Sequence, residues 1–166
     1  MNPNPYAPPT ARVDDVATGD AAPALWNPNA AANWSLLFSP AFGAWLHMKN
    51  WQALGEPKKA ANARIWIIVS LVLIVVLSLA SGLMPDSKAL DAASRSFGLV
   101  LLLAWYFSSG RAQAGLVKQR FGKDYPRRGW GQPLLWALGA VIVFFVGVFL
   151  VAFVVGMAGA GISGTA

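Results

Sequence analysis

The chain has 166 residues, of which 56% are hydrophobic and only 12% are charged, whereas soluble domains average about 45–50% and about 25%. Its net charge of +6 comes mainly from bases beside apolar runs, a distribution typical of membrane topology signals, so we expect no nucleic-acid partner. The absence of cysteine excludes disulfides, thiolate chemistry and cysteine-ligated metals.

Residues 1–29 predict a disordered tail. They contain six prolines with Asn, Ala and Asp between them, and few large apolar groups whose burial would offset the entropy of ordering. Met1 to Pro9 lacks the basic and apolar regions of a cleaved signal peptide, so we expect the tail to remain on the mature protein. Residues 30–166 are predicted to form one helical membrane domain.

Two segments resemble those of uncharacterised small bacterial inner-membrane proteins. Residues 4–9 read Asn-Pro-Tyr-Ala-Pro-Pro, and residues 33–43 read Asn-Trp-Ser-Leu-Leu-Phe-Ser-Pro-Ala-Phe-Gly. The resemblance implies a bacterial origin and an inner-membrane location. It carries over no activity.

Four apolar segments predict an all-α integral membrane protein, a bundle of four transmembrane helices. Ile65–Leu83 is uncharged and includes 13 Ile, Leu or Val residues, and no charged residue follows Arg128. About 20 such residues cross a hydrocarbon core of about 30 Å. The predicted segments are 33–47, 61–83, 90–110 and 133–161, with short interfacial helices after the first and the third.

The first segment, 33–47, leaves two interpretations open. Its uncharged core is short and Pro40 lies near its middle, where proline removes a backbone donor and kinks a helix. The first interpretation is a kinked transmembrane helix. The alternative is a re-entrant or interfacial helix, which reduces the bundle to three crossings.

The two halves of the chain share a pattern that is typical of a duplicated helical hairpin. Each half has an apolar segment, an amphipathic extension and then a break, at Leu54-Gly55 and at Phe121-Gly122. A proline and two bases follow before the next long apolar segment. The residue preferences of a membrane interface, which act on both halves, also produce similar spacing. Duplication and independent origin of the pattern therefore both stay open here.

The distribution of bases predicts the orientation. Connectors 49–64 and 111–128 carry four and six Lys or Arg, so we expect both to be cytoplasmic, the 84–96 connector to be extracytoplasmic and the C-terminus to be periplasmic. The tail is then outside with four crossings and inside with three. Candidate contacts of these connectors with lipid head groups are Lys58, Lys59, Arg64, Arg120, Lys123, Arg127 and Arg128.

The sequence offers no constellation for catalysis, a cofactor or a metal, so we predict that the protein is not an enzyme. His47 is the single histidine, and without nearby ligands it is expected to be a polar cap at the membrane interface. The serines of the apolar segments have no general base near them in sequence. The apolar cores also lack the ionisable groups that mark ion-coupled carriers.

A face of small residues on the last helix is the sequence feature that most favours a particular function. Ala152, Gly156 and Ala160 recur every four residues, a spacing that lets helix backbones approach closely. The face is predicted to pack against other helices of the chain, against a second copy or against another membrane protein. We therefore expect a non-enzymatic multi-pass protein acting through protein–protein contacts, with an immunity-type protein against a membrane-acting toxin as a specific case. The alternative is a small transporter or channel subunit that works as an oligomer.

Overall fold

The computed structural model describes residues 22–84 and 86–163, with the surroundings of side chains described up to residue 157. The regular structure of these residues is helical, apart from an isolated bridge between Leu25 and Arg127. The helices in chain order are α1 (Pro28–Phe38), α2 (Pro40–Ala53), α3 (Pro57–Leu83), α4 (Lys88–Trp105), a π-helical turn (Tyr106–Gly110), α5 (Arg111–Phe121) and α6 (Gly131–Ser163).

Three helices are long and apolar enough to cross a membrane. They are α3, the continuous helix Lys88–Phe121 and residues Gly131–Met157 of α6. These helices contain all or most of the predicted segments 61–83, 90–110 and 133–161, and so confirm them as helical. The 27 residues of α3 extend about 40 Å, which exceeds the hydrocarbon thickness of about 30 Å.

The first predicted segment, 33–47, is divided between two helices. Ser39 has a φ of 113° and separates α1 from α2. It precedes Pro40, which disfavours the helical region for the residue before it and then begins α2 as a first-turn proline. The segment is therefore interrupted at Ser39, beside the proline at which the kinked-helix interpretation placed its kink.

The helices α1 and α2 form a hairpin, in which the end of α2 lies beside the start of α1. His47 Nε2 near the end of α2 lies 3.1 Å from the carbonyl oxygen of Pro28 at the start of α1. The 11 and 14 residues of these helices extend only about 16 and 21 Å, less than a membrane crossing requires. This geometry corresponds to the re-entrant alternative, and the described residues hold three candidate spans where four were expected.

A close contact at Gly43 holds the hairpin together. A Cβ at this position would clash with Ser35 Oγ of α1 and with the ring of Trp105 from α4. Only glycine, which lacks that atom, allows the three elements to approach so closely. The hairpin is thus packed on α4 as well as on itself.

The third predicted helix and its amphipathic extension form one continuous helix. At the π-helical turn the backbone N–H of Arg111 donates to the carbonyl of Tyr106, five residues back. A π turn inserts an extra residue and rotates the helix that follows. In the rotated α5, Gln113 is fully buried against the hairpin.

The two basic connectors meet at Glu56. Its carboxylate lies 3.3 Å from Lys59 Nζ and 3.8 Å from an Arg120 guanidinium nitrogen. Gly55 and Gly122, with φ values of 70° and 62°, end α2 and α5 in the left-handed conformation that favours glycine. Connectors 49–64 and 111–128 therefore lie on the same side of the molecule.

The packed domain begins before residue 30. The Leu25 N–H donates to the carbonyl of Pro126, and the Leu25 carbonyl accepts from the N–H of Arg128. Leu25 is 0% exposed and Trp26 9%, although the sequence analysis assigned both to the tail. These two apolar residues find a partner in the distant 111–128 connector. Residues 1–21 of the predicted tail lie outside the described residues.

The buried core lies at the basic end of the helices. One cluster joins the start of the domain, the hairpin and the base of α6, and a second joins α2 to the start of α3. Their buried members are Trp26, Ala31, Phe42, Leu46 and Ala137 in the first and Trp51, Ala60 and Ala63 in the second. Beyond this base, most of the apolar surface of α3 and α6 is exposed.

Candidate functional site

A buried polar cluster lies at the base of the hairpin, with Asn50 at its centre. Asn50 is 1% exposed. Its Oδ1 accepts from the Trp26 N–H at 3.0 Å, and its Nδ2 donates to the Trp26 carbonyl at 2.8 Å and to Gln113 Oε1 at 3.1 Å. One side chain therefore joins the start of the domain, α2 and α5.

Gln113 completes the connection between α5 and the hairpin. Its Nε2 donates to the backbone carbonyl of His47 at 2.9 Å, while its Oε1 accepts from Asn50. Both polar atoms of the Gln113 amide thus have partners although the side chain is fully buried. Buried polar groups satisfied in this way define a unique packing arrangement.

His47 is a buried part of this cluster. It is 0% exposed, whereas the sequence analysis expected a cap at the interface. Burial away from water lowers the pKa of His47 to about 4, and the hydrogen bond to the Pro28 carbonyl opposes this only in part. The ring is neutral at pH 7, and its Nε2 carries the proton that it donates to Pro28.

An aromatic ring covers the other side of His47. The ring of Trp105 meets it edge to face, with centroids 5.1 Å apart. His47 Nδ1 and Trp105 Nε1 are both buried and have no hydrogen-bond partner among the described residues. Most polar atoms of the cluster have hydrogen-bond partners, and apolar side chains surround them. The cluster is therefore suited to holding the helices together.

The described residues do not assemble a metal-ligand cluster. They contain no group of three or more His, Asp or Glu side chains that are close enough to hold a metal ion. Within the same residues, the partners of His47 are a backbone carbonyl and an aromatic ring.

The predicted basic residues surround the meeting point of the connectors. Lys59 and Arg120 share Glu56, and the Lys59 ammonium also lies 4.8 Å from the centre of the Trp51 ring. The Arg128 guanidinium lies 4.7 Å from the ring of Trp26. These cations therefore contact the base of the domain as well as solvent.

The other predicted bases lie on the same side. Arg127 lies over Tyr125 at 5.6 Å and its guanidinium donates to the carbonyl of Lys123 at 3.5 Å. The remaining members of the set, Lys58 and Arg64, are exposed on the first two turns of α3. The structure thus pairs Lys59 and Arg120 through Glu56 and places Arg128 on the Trp26 ring, while all of these bases keep exposed surface.

The predicted small-residue face of α6 is exposed. Ala152 and Gly156 have open surfaces, and a Cβ built at Gly156 meets no described atom within 4 Å. Ala160 continues the face one turn further along α6, in the part where only the backbone is described. The part of α6 that does contact the domain is its base, at Leu134 and Ala137.

Sequence reasoning missed the cluster of Trp26, Asn50 and Gln113. Asn50 and Gln113 lie in amphipathic segments where an amide is usually solvated, so the sequence carried no local signal for their burial. Their pairing joins residues 63 positions apart, and no local pattern encodes that separation.

No protein-family model, curated protein or solved structure matches this chain.

Proposed function

We propose that the protein is an integral membrane protein of the bacterial inner membrane with three crossings and a re-entrant hairpin. The crossings are α3, Lys88–Phe121 and α6, each apolar and largely exposed. Such exposure is costly in water and natural in hydrocarbon. The hairpin α1–α2 enters from the basic side and returns to it, packed against the other helices, where irregular backbone is tolerated within a membrane.

The proposed orientation places both basic connectors in the cytoplasm. Connectors 49–64 and 111–128 lie together, and the turn between α3 and α4 lies at the opposite end of these helices. The positive-inside rule then places the connectors in the cytoplasm and the C-terminal end of α6 in the periplasm. Because Leu25 pairs with the second connector, the start of the described chain is on the cytoplasmic side.

Within the membrane we propose a non-enzymatic role through protein–protein contacts, and α6 carries this proposal. The most apolar 18-residue stretch of Gly131–Met157 has no buried residue, and the Ala152 and Gly156 positions of the small-residue face are exposed. Helices in lipid associate through close backbone packing at small residues, since lipid supplies no hydrophobic driving force between them. The rigid base around Asn50 fixes where α6 leaves the domain. The partner is a second copy or another membrane protein.

The experiment compares two glycines on opposite faces of α6. Gly156 and Gly147 are nine residues apart, half a turn on the helix, and a Cβ meets no described atom within 4 Å at either position. Gly156→Leu should leave thermal stability in detergent unchanged and lower the yield of cross-linked complex at least about fivefold, because overpacking costs about 1–3 kcal/mol. Gly147→Leu should change neither.

Two outcomes would contradict the proposal. A loss of stability in Gly156→Leu would indicate that the face packs inside the protein. An unchanged yield in both variants would mean that the small residues reflect composition alone.

A specific case within this class is an immunity-type protein that blocks a membrane-acting toxin. Its support is a small multi-helix membrane domain and a free helix face within the bilayer, where such a toxin acts. Deletion of the gene should sensitise cells to an effector encoded beside it. Unchanged resistance to every neighbouring effector would contradict this case.

The second candidate is a small transporter or channel subunit, and the broken hairpin favours it. Discontinuous helices such as α1 and α2, interrupted at Ser39, recur where transporters bind their substrates. The protein reconstituted in liposomes at increasing density should then conduct ions or solutes. Absence of flux at every density would exclude this candidate and leave the interaction role.

A further inference from the structure

The tip of the hairpin carries backbone carbonyls that lack a donor. The Ser39 N–H donates to the carbonyl of Ser35, the Phe42 N–H donates to the carbonyl of Ser39, and Pro40 between them has no N–H. In the part of the chain that the structure describes, no backbone N–H donates to the carbonyls of residues 36–38, the last turn of α1. Helix carbonyls point toward the C-terminal end, so these three point toward the tip.

The tip lies at the level of the middle of α3 and α6. A cavity of about 540 Å³ beside it is lined by residues 36–40 together with Ile74 of α3 and Phe144 of α6. Ile74 is the central residue of the uncharged run Ile65–Leu83, and Phe144 is the central residue of Gly131–Met157. In the proposed placement the cavity is therefore near the bilayer centre, where an unsatisfied polar group is costly.

Serine hydroxyls of α3 and α4 line the same cavity. Ser78 and Ser94 are both part of its wall. Since α3 leads away from the basic connectors and α4 returns toward them, both serines lie beyond the centre, on the side to which the α1 carbonyls point. The Ser78 hydroxyl donates to Ile74 of its own helix, whereas Ser94 Oγ is buried without a hydrogen-bond partner among the described residues. The cavity thus holds an unused hydroxyl as well as unused carbonyls.

The lining favours an uncharged occupant. The described residues that form it include no Asp, Glu, Lys, Arg or His. The negative end of the α1 dipole and the positive end of the α2 dipole meet at Ser39, so their fields largely cancel. A charged ligand would lose its hydration without a countercharge, which is costly near the bilayer centre. A neutral ligand that donates a hydrogen bond satisfies a carbonyl without that penalty.

The rest of the lining is apolar and opens to the side. Leu, Ile and Phe side chains form most of it, and Leu36 and Leu37 at its edge are 67% and 74% exposed. In the proposed placement this open side meets the acyl chains of the bilayer, so a ligand enters from the lipid phase. The volume is within the range of about 300–1,000 Å³ that is usual for ligand sites. The occupant that fits has an apolar body and a hydroxyl donor.

We propose that the cavity at the hairpin tip binds one uncharged, lipid-soluble alcohol or phenol, whose hydroxyl donates to a carbonyl of residues 36–38 and accepts from Ser94. The inference rests on the proposed re-entrant hairpin and goes beyond it, because it assigns a ligand to the space beside the tip. A helix of a second copy is a poorer occupant. Residues 137–162 of α6 have no side-chain hydrogen-bond donor, so they would leave the carbonyls unpaired.

The test uses the full chain in vesicles of phosphatidylethanolamine and phosphatidylglycerol with two matched photoprobes. One probe is octanol with a diazirine near its hydroxyl, and the other is its methyl ether, which has the same apolar body and no donor. After illumination, mass spectrometry should find saturable alcohol label at Leu73 and Leu77 of the cavity. Label from the ether should be about fivefold weaker there, the effect of losing one hydrogen bond. Val143, 72% exposed on α6, should react equally with both probes.

Two variants with matched controls locate the ligand. Ser94→Ala removes a hydroxyl whose oxygen is unpaired within the described chain, and it should lower alcohol labelling of the cavity about fivefold. Ser108→Ala removes a hydroxyl that is bonded to its own helix and should leave the labelling unchanged. Gly98→Leu fills the cavity from α4 and should remove the label of both probes, whereas Gly147→Leu on α6 should not.

The contrary outcomes are distinct. Equal labelling of the cavity by alcohol and ether would overturn the site while the membrane location stands. Alcohol labelling that rises in proportion to concentration, as partition into the bilayer does, would overturn it too, as would a Ser94→Ala effect no larger than that of Ser108→Ala. If Gly98→Leu lowers thermal stability, the comparison of the two probes on the unchanged protein decides. Release of the protein from vesicles by alkaline carbonate would overturn both the site and the membrane location.

Discussion

Replacement of Asn50 by leucine tests the anchor at the base of the hairpin. The two side chains have similar volumes, so the change removes the amide with little change in packing. Three buried groups lose their partner, namely the N–H and carbonyl of Trp26 and the Oε1 of Gln113. The structure predicts a loss of stability that is concentrated at the contact between the start of the domain, α2 and α5.

The expected magnitude follows from the number of groups left unpaired. Each buried unsatisfied polar group costs about 1–3 kcal/mol, so three cost roughly 3–9 kcal/mol. The buried leucine side chain returns about 1–3 kcal/mol. Since local rearrangement lets water reach part of the site, we expect the free energy of unfolding to fall by about 4 kcal/mol for Asn50→Leu.

The assay is equilibrium unfolding in mixed micelles, with hydrogen exchange as a local readout. Gln52→Leu is the matched control, since Gln52 is two residues away on the same helix and is exposed. It should change the free energy of unfolding by less than about 0.5 kcal/mol. In Asn50→Leu the amides of Leu25 and Trp26 should exchange much faster, because the segment that they anchor opens locally.

A double-mutant cycle separates the anchor from general damage to the helix. Gln113→Leu alone leaves the His47 carbonyl and one Asn50 N–H unpaired. Combined with Asn50→Leu it should cost less than the sum of the two, by at least about 0.5 kcal/mol, because the two side chains share a hydrogen bond. Strict additivity, or an Asn50→Leu effect no larger than that of Gln52→Leu, would refute the reasoning.

Three further predictions concern the hairpin. Ser39→Gly should raise the free energy of unfolding by about 1 kcal/mol, because the φ of 113° is strained for any residue with a Cβ. The control Ala61→Gly, at an exposed position of α3, should lower the free energy of unfolding by a similar amount. A lower free energy of unfolding in Ser39→Gly would contradict the strain. Since burial lowers the pKa of His47 to about 4 from 6.5, the unfolded chain binds the proton more readily, so stability should be complete above pH 6.5 and fall by up to about 3 kcal/mol toward pH 4. His47→Gln should flatten this pH dependence, and an unchanged profile would contradict the assignment. Gly43→Ala should lower the melting temperature by an amount equivalent to about 1–3 kcal/mol through its clashes, while Gly98→Ala, whose Cβ meets no described atom within 4 Å, should not.

The long helices were predictable because their signal is local. The length and hydrophobicity of a run such as Ile65–Leu83 can be read from consecutive residues. Neither property depends on contacts with distant parts of the chain. The breaks at Gly55 and Gly122 were also predicted, since their positive φ values suit glycine at the end of a helix.

The hairpin was less predictable because its signal is divided between distant residues. Pro40 marked a disruption, but the return of α2 along α1 depends on the contact between Ser35, Gly43 and Trp105. Trp105 lies in another part of the sequence, far beyond Gly43. Local patterns therefore left the kinked and re-entrant interpretations open, and the return of α2 along α1 is what the re-entrant interpretation expects.

The polar anchor required tertiary information for the same reason. Asn50 and Gln113 have the composition of surface residues, and amides in amphipathic segments are usually solvated. Gln113 lies in α5 just beyond the π-helical turn Tyr106–Gly110, and its partners are Asn50 and the His47 carbonyl of the distant α2. The similar sequence patterns of the two halves also concealed a difference, since the first arm folds back at Ser39 and the second, Lys88–Phe121, continues as one helix. Duplication of the hairpin stays a prediction.

Cysteine accessibility tests the three-crossing account most directly. The chain has no cysteine, so each variant carries one thiol, and Ala24, Asp86 and Lys123 are all exposed. With a membrane-impermeant maleimide, Asp86→Cys should react in intact spheroplasts, whereas Ala24→Cys and Lys123→Cys should react only in inverted vesicles. Reaction of Ala24→Cys in intact spheroplasts would mean that the hairpin region crosses the membrane as a fourth span, and reaction of Lys123→Cys there would reverse the orientation.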